Sequence, residues 1–459
     1  MTDLNKYYNL KRKILINLVS GGSILVITIV TSSLMKFFTD MIGLSPAVFG
    51  VVFLLFSIWN GINDPIIGYW ADKRPFLPGR GKYAPLIRWS IPIMGISVIA
   101  LLFASPDWNE IVIAIFLLTL LVIYEGAQTL LGVSFMAFTV NTFLSMDERT
   151  EVQVISSYIN MIPVFLGGMI PVWFLTGSFS RMTLVAIFSG AIILGLLLIW
   201  IGAKFIREDE EFYKNMQVTK GLKELFNLSK DLFKDKIFVL YMAAFFFINA
   251  VTGNYFSGYI YYMDNVLEVS GLEATLPDLL NGIAQMAILP LIVLLVRKFG
   301  SKNTLWKGLL IAVAGHAILS LPLNYWAAVT TYMVIIIGYG FSSAITNPIG
   351  GLIVDHVELQ TGKRQPGVVR GIMSILLIPA ASLTPLILST LLSASGYVGQ
   401  NKSQTIEVVR AIRIGTGIIP AIILLVGILL LILLPINHKQ ELEIQAAIKE
   451  KHSKELELA

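Results

Sequence analysis

Asp64 is a carboxylate within an apolar stretch. It lies in the run 46–71, directly before Pro65 and one helical turn after Asn60. An ionised side chain at membrane depth costs about 2.5–3.5 kcal/mol or more, so this one is expected to face a cavity, a cation or a proton. Pro65 has no amide hydrogen and leaves a carbonyl one turn back unengaged, and such carbonyls can help ligate an ion. The plainer alternative is that Asp64 only caps or braces a kinked helix. Glu125 is the second acid at depth, inside the run 110–135. Its neighbours Tyr124 and Gln128 could hydrogen-bond a polar substrate, and the alternative is a structural pair with another helix. Asn249, Thr252, Asn254, Tyr255, Asn281 and Gln285 are further polar groups at membrane depth. Lys36 and Arg370 stand close enough to span ends to snorkel. His316 reads as a satisfied packing residue, and the Gly21-Gly22, Gly167-Gly168 and Gly350-Gly351 pairs as close-packing sites.

Other chemistries have no residues to carry them. There is no Cys and only four His, with no ligand spacing for zinc or haem, so no metal site is expected. No phosphate-loop glycine motif and no nucleophile elbow occur, which argues against ATP as an energy source and against an enzyme. A bound cofactor is therefore not expected, beyond a transiently held Na+ or H+.

The elements that position these groups follow from composition. Of 459 residues, 56% are hydrophobic and only 14% charged, against roughly a quarter charged in soluble proteins. That excludes a soluble enzyme, a disordered tail or a coiled coil. The net charge of +5 comes without an aromatic-interleaved basic patch, so it reads as membrane orientation, and no nucleic-acid partner is expected.

An apolar run of about 20 residues spans the hydrocarbon core as a helix. Twelve such runs lie near 14–37, 46–71, 85–104, 110–135, 155–178, 182–203, 237–263, 275–296, 305–321, 325–353, 368–395 and 411–436. The fold class is an all-α membrane protein of twelve transmembrane helices in two pseudo-symmetric six-helix bundles. The bundles cover 1–203 and 237–437, with a cytoplasmic linker at 204–236 and a cytoplasmic tail at 438–459. The first run follows Lys11, Arg12 and Lys13 but is too long for a signal segment and stays in the mature protein. Lys and Arg gather in alternate loops, which puts both termini in the cytoplasm of a multi-pass cell-membrane protein. In the linker Leu222, Leu225, Phe226, Leu228, Leu232 and Phe233 recur at helical spacing, as in a helix lying on the inner surface. Basic loops follow the second span (Lys73, Arg74, Arg80, Lys82) and the eighth (Arg297, Lys298, Lys302), and mixed-charge loops follow the fourth and tenth. Repeated loop chemistry over six plus six spans is how rocking secondary transporters are built.

The block Trp59-Asn60-Gly61-Ile62-Asn63-Asp64-Pro65-Ile66-Ile67-Gly68, with Asp72 and Pro78-Gly79-Arg80-Gly81-Lys82-Tyr83-Ala84-Pro85, resembles the major facilitator superfamily. Within it the match is to the glycoside-pentoside-hexuronide:cation symporters of the melibiose permease type. Phe38-Thr39-Asp40, Gly43-Leu44-Ser45, Glu148-Arg149-Thr150, Tyr261-Tyr262, Asp355 with Thr361-Gly362-Lys363-Arg364, Gly396-Tyr397 and Ile419-Pro420-Ala421 follow in the family's order. The resemblance implies cation or proton coupling at Asp64, Asn60 and Thr129. It also implies an inner gate of Gly68, Asp72, Arg80, Gly81 and Lys82, to which the mixed-charge residues Arg149, Asp355 and Glu358 are added. Spans 1, 4, 7 and 10 line the cavity in this superfamily, so Asn254 and Tyr255 join Tyr124, Glu125 and Gln128 as substrate-contact candidates, with helix-to-helix hydrogen bonding as the alternative.

The sequence departs from the family where charge matters most. Asn60 stands at the first carboxylate position of the second span. Gly132 stands at the carboxylate position of the fourth, with Thr129 as its hydroxyl. Ile378 stands at the family's lysine, and residues 14–35 carry no charge. Hard-cation affinity depends on ligand charge, so Na+ is disfavoured. A proton on Asp64 remains open, as does uncoupled transport.

The expected function is secondary active transport of a small sugar or sugar-like solute by alternating access, coupled to H+ or Na+. The rivals are a carrier of a lipid-like or amphipathic solute, an uncoupled facilitator, and a non-transporting membrane sensor or scaffold. The expected partners are the small-molecule substrate and membrane lipid, with the chain acting as a monomer.

Overall fold

The computed structural model describes residues 7–143, 146–210, 230, 232–252, 255–361, 366–399, 401 and 403–457. Several helices begin where a polar side chain takes up an orphan donor. Asn9, Asn109, Ser180 and Thr405 each accept a backbone N–H from the first turn that follows, a donor that a helix start otherwise leaves open. The chain divides into two compact units.

The first unit is Met1–Lys220 with Val269–Thr275 and Tyr397–Gln404. It holds α1 (Leu10–Lys36), α2 (Pro46–Lys73), α3 (Ala84–Leu101), α4 (Glu110–Thr142), α5 (Met146–Leu175) and α6 (Arg181–Lys204). α1 packs along α5 and α6, and α4 along α2 and α3. Small residues let the backbones approach. A Cβ on Gly22 would lie 2.2 Å from the Gly195 carbonyl oxygen of α6, so no side chain fits there.

The end of α1 differs from the sequence expectation. Lys36 does not snorkel; it is 1% exposed. The chain continues past it as a π-helix, Phe37–Ile42, and Lys36 Nζ pairs with Asp40 Oδ2 at 2.6 Å. The Thr39 and Tyr397 hydroxyls donate to Asp40 Oδ1 at 2.7 and 2.8 Å. A buried acid four residues on, itself held by two hydroxyls, keeps the ammonium inside, because a lysine reaching for water would strand the carboxylate.

The second unit is Gly221–Glu268, Leu276–Gly396 and Thr405–Ala459. It holds α7 (Lys236–Thr252), α8 (Tyr255–Asn265), most of α9 (Gly271–Phe299), α10 (Ser301–Leu319) and α11 (Tyr325–Thr361). They are followed by α12 (Pro366–Leu377), α13 (Ala380–Ala394), α14 (Ile406–Arg413), α15 (Ile419–Leu433) and α16 (His438–Glu457). A π-helical stretch, Ile414–Ile418, joins α14 to α15. His316 of α10 braces it: Nδ1 meets the Thr416 carbonyl at 2.8 Å and Nε2 the Tyr339 hydroxyl at 2.6 Å. The apolar run 237–263 is carried by two helices, α7 and α8.

Among the described residues, nine helices are long and apolar enough to cross a membrane, and the bent pair Gly271–Gln285 with Ala287–Phe299 makes ten. α7 with α8, and α10, fall where the sequence puts the two remaining spans of the twelve. Most of the 204–236 interval, and with it most of the expected surface helix, lies outside the described residues.

One arrangement recurs in both units. Gly81 has φ +89°, and just after it the Glu208 carboxylate, beyond the end of α6, accepts the backbone N–H groups of Lys82, Tyr83 and Ala84 at 2.9, 3.0 and 2.9 Å. Gly300 has φ +81°, and Glu441, beyond the end of α15, accepts the Ser301 backbone N–H at 3.0 Å and its hydroxyl at 2.5 Å. Each acid neutralises the partial positive charge at the start of a helix, α3 or α10.

Candidate functional site

The two acids identified in the sequence stand on α2 and α4, which pack against one another in the first unit. α2 carries Asn60 and Asp64 one turn apart, and α4 carries Glu125 and Thr129 at the same spacing, so each pair shares a helix face. The Thr129 hydroxyl donates to Asp64 Oδ1 at 2.8 Å. Thr129 is buried, while Asp64, Asn60 and Glu125 are half-buried. The charges of Asp64 and Glu125 oppose one another when both are ionised. A proton or a cation between them would remove that repulsion. Neither acid is ion-paired with a described Lys, Arg or His, so the structural pairing considered for Glu125 is not found among the described residues. Pro65 lies in the continuous helix α2, and for want of its amide hydrogen the Gly61 carbonyl gets no helical bond from it.

The remaining candidates divide by location. Tyr124 is buried beside Glu125, and the Gln128 amide donates to the Ser23 hydroxyl of α1 at 2.7 Å. Asn254 lies outside the described residues, and of Tyr255 only the backbone, at the start of α8, is described. A Cβ at Gly132, where the family has a carboxylate, would meet nothing within 4 Å.

The expected gate residues of the first unit lie along the end of α2 and the loop to α3. The Tyr83 hydroxyl donates to Asp72 Oδ1 at 2.9 Å, and Lys82 Nζ to the Asp72 backbone carbonyl at 2.8 Å. Burial, and then the Asp72 carboxylate, push the Tyr83 phenol far above its ordinary range, so it remains a donor at any working pH. Arg80 is exposed. A Cβ on Gly68 would sit 3.7 Å from Val133 of α4, an ordinary contact. The Arg149 backbone lies in α5 and its side chain outside the described residues. Asp355 and Glu358 stand near the end of α11 in the second unit, the first half-buried and the second 4% exposed.

Sequence reasoning missed two features. Asn63 is 1% exposed, adjoins Asp64, and has an amide whose oxygen and nitrogen no protein group engages. Its three-residue spacing from Asn60 was the available signal. Glu208 was missed because its partners are backbone amides. Among the described residues no group of three or more His, Cys, Asp or Glu converges to hold a metal ion.

Comparison with known proteins agrees with this architecture. The uncharacterized symporter YnaJ of Bacillus subtilis (strain 168) is 25% identical over 421 residues, covering 88% of this chain and 87% of that protein. The isoprimeverose transporter of Lactiplantibacillus pentosus is 23% identical over 451 residues, covering 94% and 90%. A crystal structure of a D-xylose-proton symporter superposes with a TM-score of 0.62 at 14% identity, covering 92% of this chain and 96% of that one. The family model described as MFS/sugar transport protein matches residues 18–438, and the chain belongs to that family.

Proposed function

We propose that this protein is a secondary transporter that moves a sugar-like solute by alternating access and couples the movement to a cation at Asp64. The observation that carries the reading is the 2.8 Å contact from Thr129 to Asp64, made between two membrane-spanning helices with the Glu125 charge close by. Of the two cations, H+ fits this donor set better than Na+. A proton needs one carboxylate and a hydrogen-bonding neighbour, whereas Na+ is held by several oxygens and more negative charge. Thr129 gives the acid a hydroxyl at 2.8 Å, and Asn60 lies one turn before it on the same helix face. Tyr124, Glu125 and Gln128, with Asn254 and Tyr255, are the proposed substrate contacts, and Gly68, Asp72, Arg80, Gly81 and Lys82, with Arg149, Asp355 and Glu358, are the proposed inner-gate residues.

In this reading 1–203 and 237–437 are the two rocking bundles, joined by 204–236 and followed by the tail 438–459. The chain acts as a monomer in the cell membrane with both termini in the cytoplasm. Its partners are the solute and surrounding lipid, with no nucleic acid and no resident cofactor.

The test is uptake of isoprimeverose into proteoliposomes under an imposed pH gradient and, separately, a Na+ gradient. The expected result is accumulation driven by the pH gradient and lost in Asp64→Asn. Accumulation at the wild-type level in that variant removes Asp64 as the coupling group, and flux indifferent to both gradients removes symport.

A further inference from the structure

Two tyrosines tie the start of α1 to the end of α6. The Tyr8 hydroxyl donates to the Arg207 carbonyl at 2.8 Å and accepts the Arg207 backbone N–H at 2.7 Å. Its buried ring packs near Phe138 and Phe143, at the end of α4, with centroids 6.2 and 5.3 Å away. The Tyr7 hydroxyl donates to the Phe205 carbonyl at 3.2 Å. Held in this way, the Tyr7 ring meets two guanidinium groups: Cζ of Arg12 and of Arg207 lie 3.6 and 4.3 Å from its centroid.

These two cations have no counter-charge among the described residues. Arg12 Nη1 donates to the Tyr7 carbonyl at 3.2 Å, and neither guanidinium pairs with a carboxylate. The acids of the neighbourhood are taken up elsewhere: Glu151 by Lys13 at 2.5 Å, and Glu208 by the amides that open α3. Asp209 and Glu210, next along the chain, form no ion pair with either arginine. Lys11 and Lys204 are exposed and add to the positive charge. Two guanidinium groups on one ring repel each other, and their attraction to the ring offsets that only in part. An oxyanion with several acceptors would neutralise the pair and take up the forked donors that remain.

The position of the pair selects the anion. Arg12 stands just before the apolar run 14–37 and Arg207 just after the run 182–203, so both lie where hydrocarbon gives way to headgroups. Along α6, Ile193, Leu194, Leu197, Trp200 and Ile201 form an exposed apolar stripe. It ends in Lys204, whose Nζ lies 3.1 Å from the Trp200 ring centroid. Cations at the head of a lipid-facing stripe match a molecule that carries a phosphate and acyl chains together, whereas a free anion has no use for the stripe. We infer that Arg12, Arg207 and Tyr7, with Lys204 beside them, form a headgroup site for an anionic phospholipid in the leaflet on the side of the two chain termini. The inference is independent of the solute and of coupling at Asp64.

Titration of the purified full-length protein with lipid in detergent, read by native mass spectrometry, tests the site. The probes are dioleoylphosphatidylglycerol, which is anionic, dioleoylphosphatidylcholine, which has the same chains and no net charge, and glycerol 1-phosphate, which has the phosphate without the chains. The protein should hold the anionic lipid about tenfold more tightly than the zwitterionic one, and glycerol phosphate should not displace it. Arg12→Gln combined with Arg207→Gln should weaken phosphatidylglycerol binding about tenfold and leave phosphatidylcholine binding unchanged, which separates a lost headgroup contact from a damaged fold. Arg207→Gln alone, at an exposed position, should weaken it by a smaller factor. Arg297→Gln combined with Lys298→Gln removes two exposed cations of α9 and should leave phosphatidylglycerol affinity within a few-fold of wild type. Equal affinity for the two lipids, binding of neither, wild-type affinity in the Arg12 and Arg207 double variant, an equal loss in the Arg297 and Lys298 double variant, or displacement by glycerol phosphate would each overturn the inference. The readout contains no solute and no gradient, so its outcome is separate from that of the uptake assay.

Discussion

Replacing Gly81 with alanine should damage the protein through Glu208, and that indirect route can be measured. At φ +89° an L-residue costs about 1–2 kcal/mol. The new Cβ would also lie 2.1 Å from Glu208 Oε2, so the carboxylate must leave the backbone N–H groups of Lys82, Tyr83 and Ala84. Losing a charge-assisted cap of this kind costs about 2 kcal/mol. Gly81→Ala should therefore destabilise the folded state by about 3–4 kcal/mol, and Glu208→Ala alone by about 2 kcal/mol. In the double variant the cap is already gone and the Cβ has space, so the total should again be about 3–4 kcal/mol. Simple addition would instead give about 5–6 kcal/mol. Equilibrium unfolding of the four proteins in mixed micelles, followed by circular dichroism, measures the cycle. A double-variant cost equal to the sum of the single costs would refute the argument that the two residues act through one contact.

Two further predictions concern charge at depth. Asn60→Asp combined with Gly132→Asp restores the family's carboxylates, the second in a place where a Cβ meets nothing within 4 Å; uptake in proteoliposomes should then become stimulated by Na+, and an unchanged Na+ response would show that these positions do not set ion choice. Asp40→Asn removes the carboxylate that pairs with the buried Lys36 ammonium at 2.6 Å and should cost about 3–5 kcal/mol in the same unfolding assay, whereas Lys36→Met with Asp40→Leu should cost much less.

The sequence made some of these relations visible and hid others, for physical reasons. Twelve apolar runs could be placed because the bilayer fixes the length of a spanning helix, and each overlaps the helix or helix pair that carries it, with α4, α5 and α11 running seven to nine residues past one end of theirs. Asp64 was legible because a carboxylate in oil needs a reason, and Thr129 because the family resemblance puts a hydroxyl at that position of the fourth span. Lys36 was misread. A lysine at a span end ordinarily reaches for water, and nothing in the apolar periodicity announces the π-helical continuation that holds Asp40 beneath it. Glu208 and Glu441 were invisible for another reason: they bind backbone amides, which every residue but proline has, so no pairing of side chains betrays them. The two guanidinium groups on the Tyr7 ring required coordinates, since composition does not tell which cations share one ring.

The duplicated carboxylate has a consequence for how the chain is made. Glu208 follows α6 and Glu441 follows α15, yet each completes a helix start laid down more than a hundred residues earlier. During synthesis the amides opening α3 must therefore wait, solvated or borrowed by other groups, until the ribosome has delivered the rest of that half, and the amide opening α10 waits in the same way. Each of these helix starts is thus completed by a residue that emerges only after the sixth apolar run of its half, and a nascent chain halted just short of Glu208 would hold six inserted segments whose third is still unsecured at its leading edge.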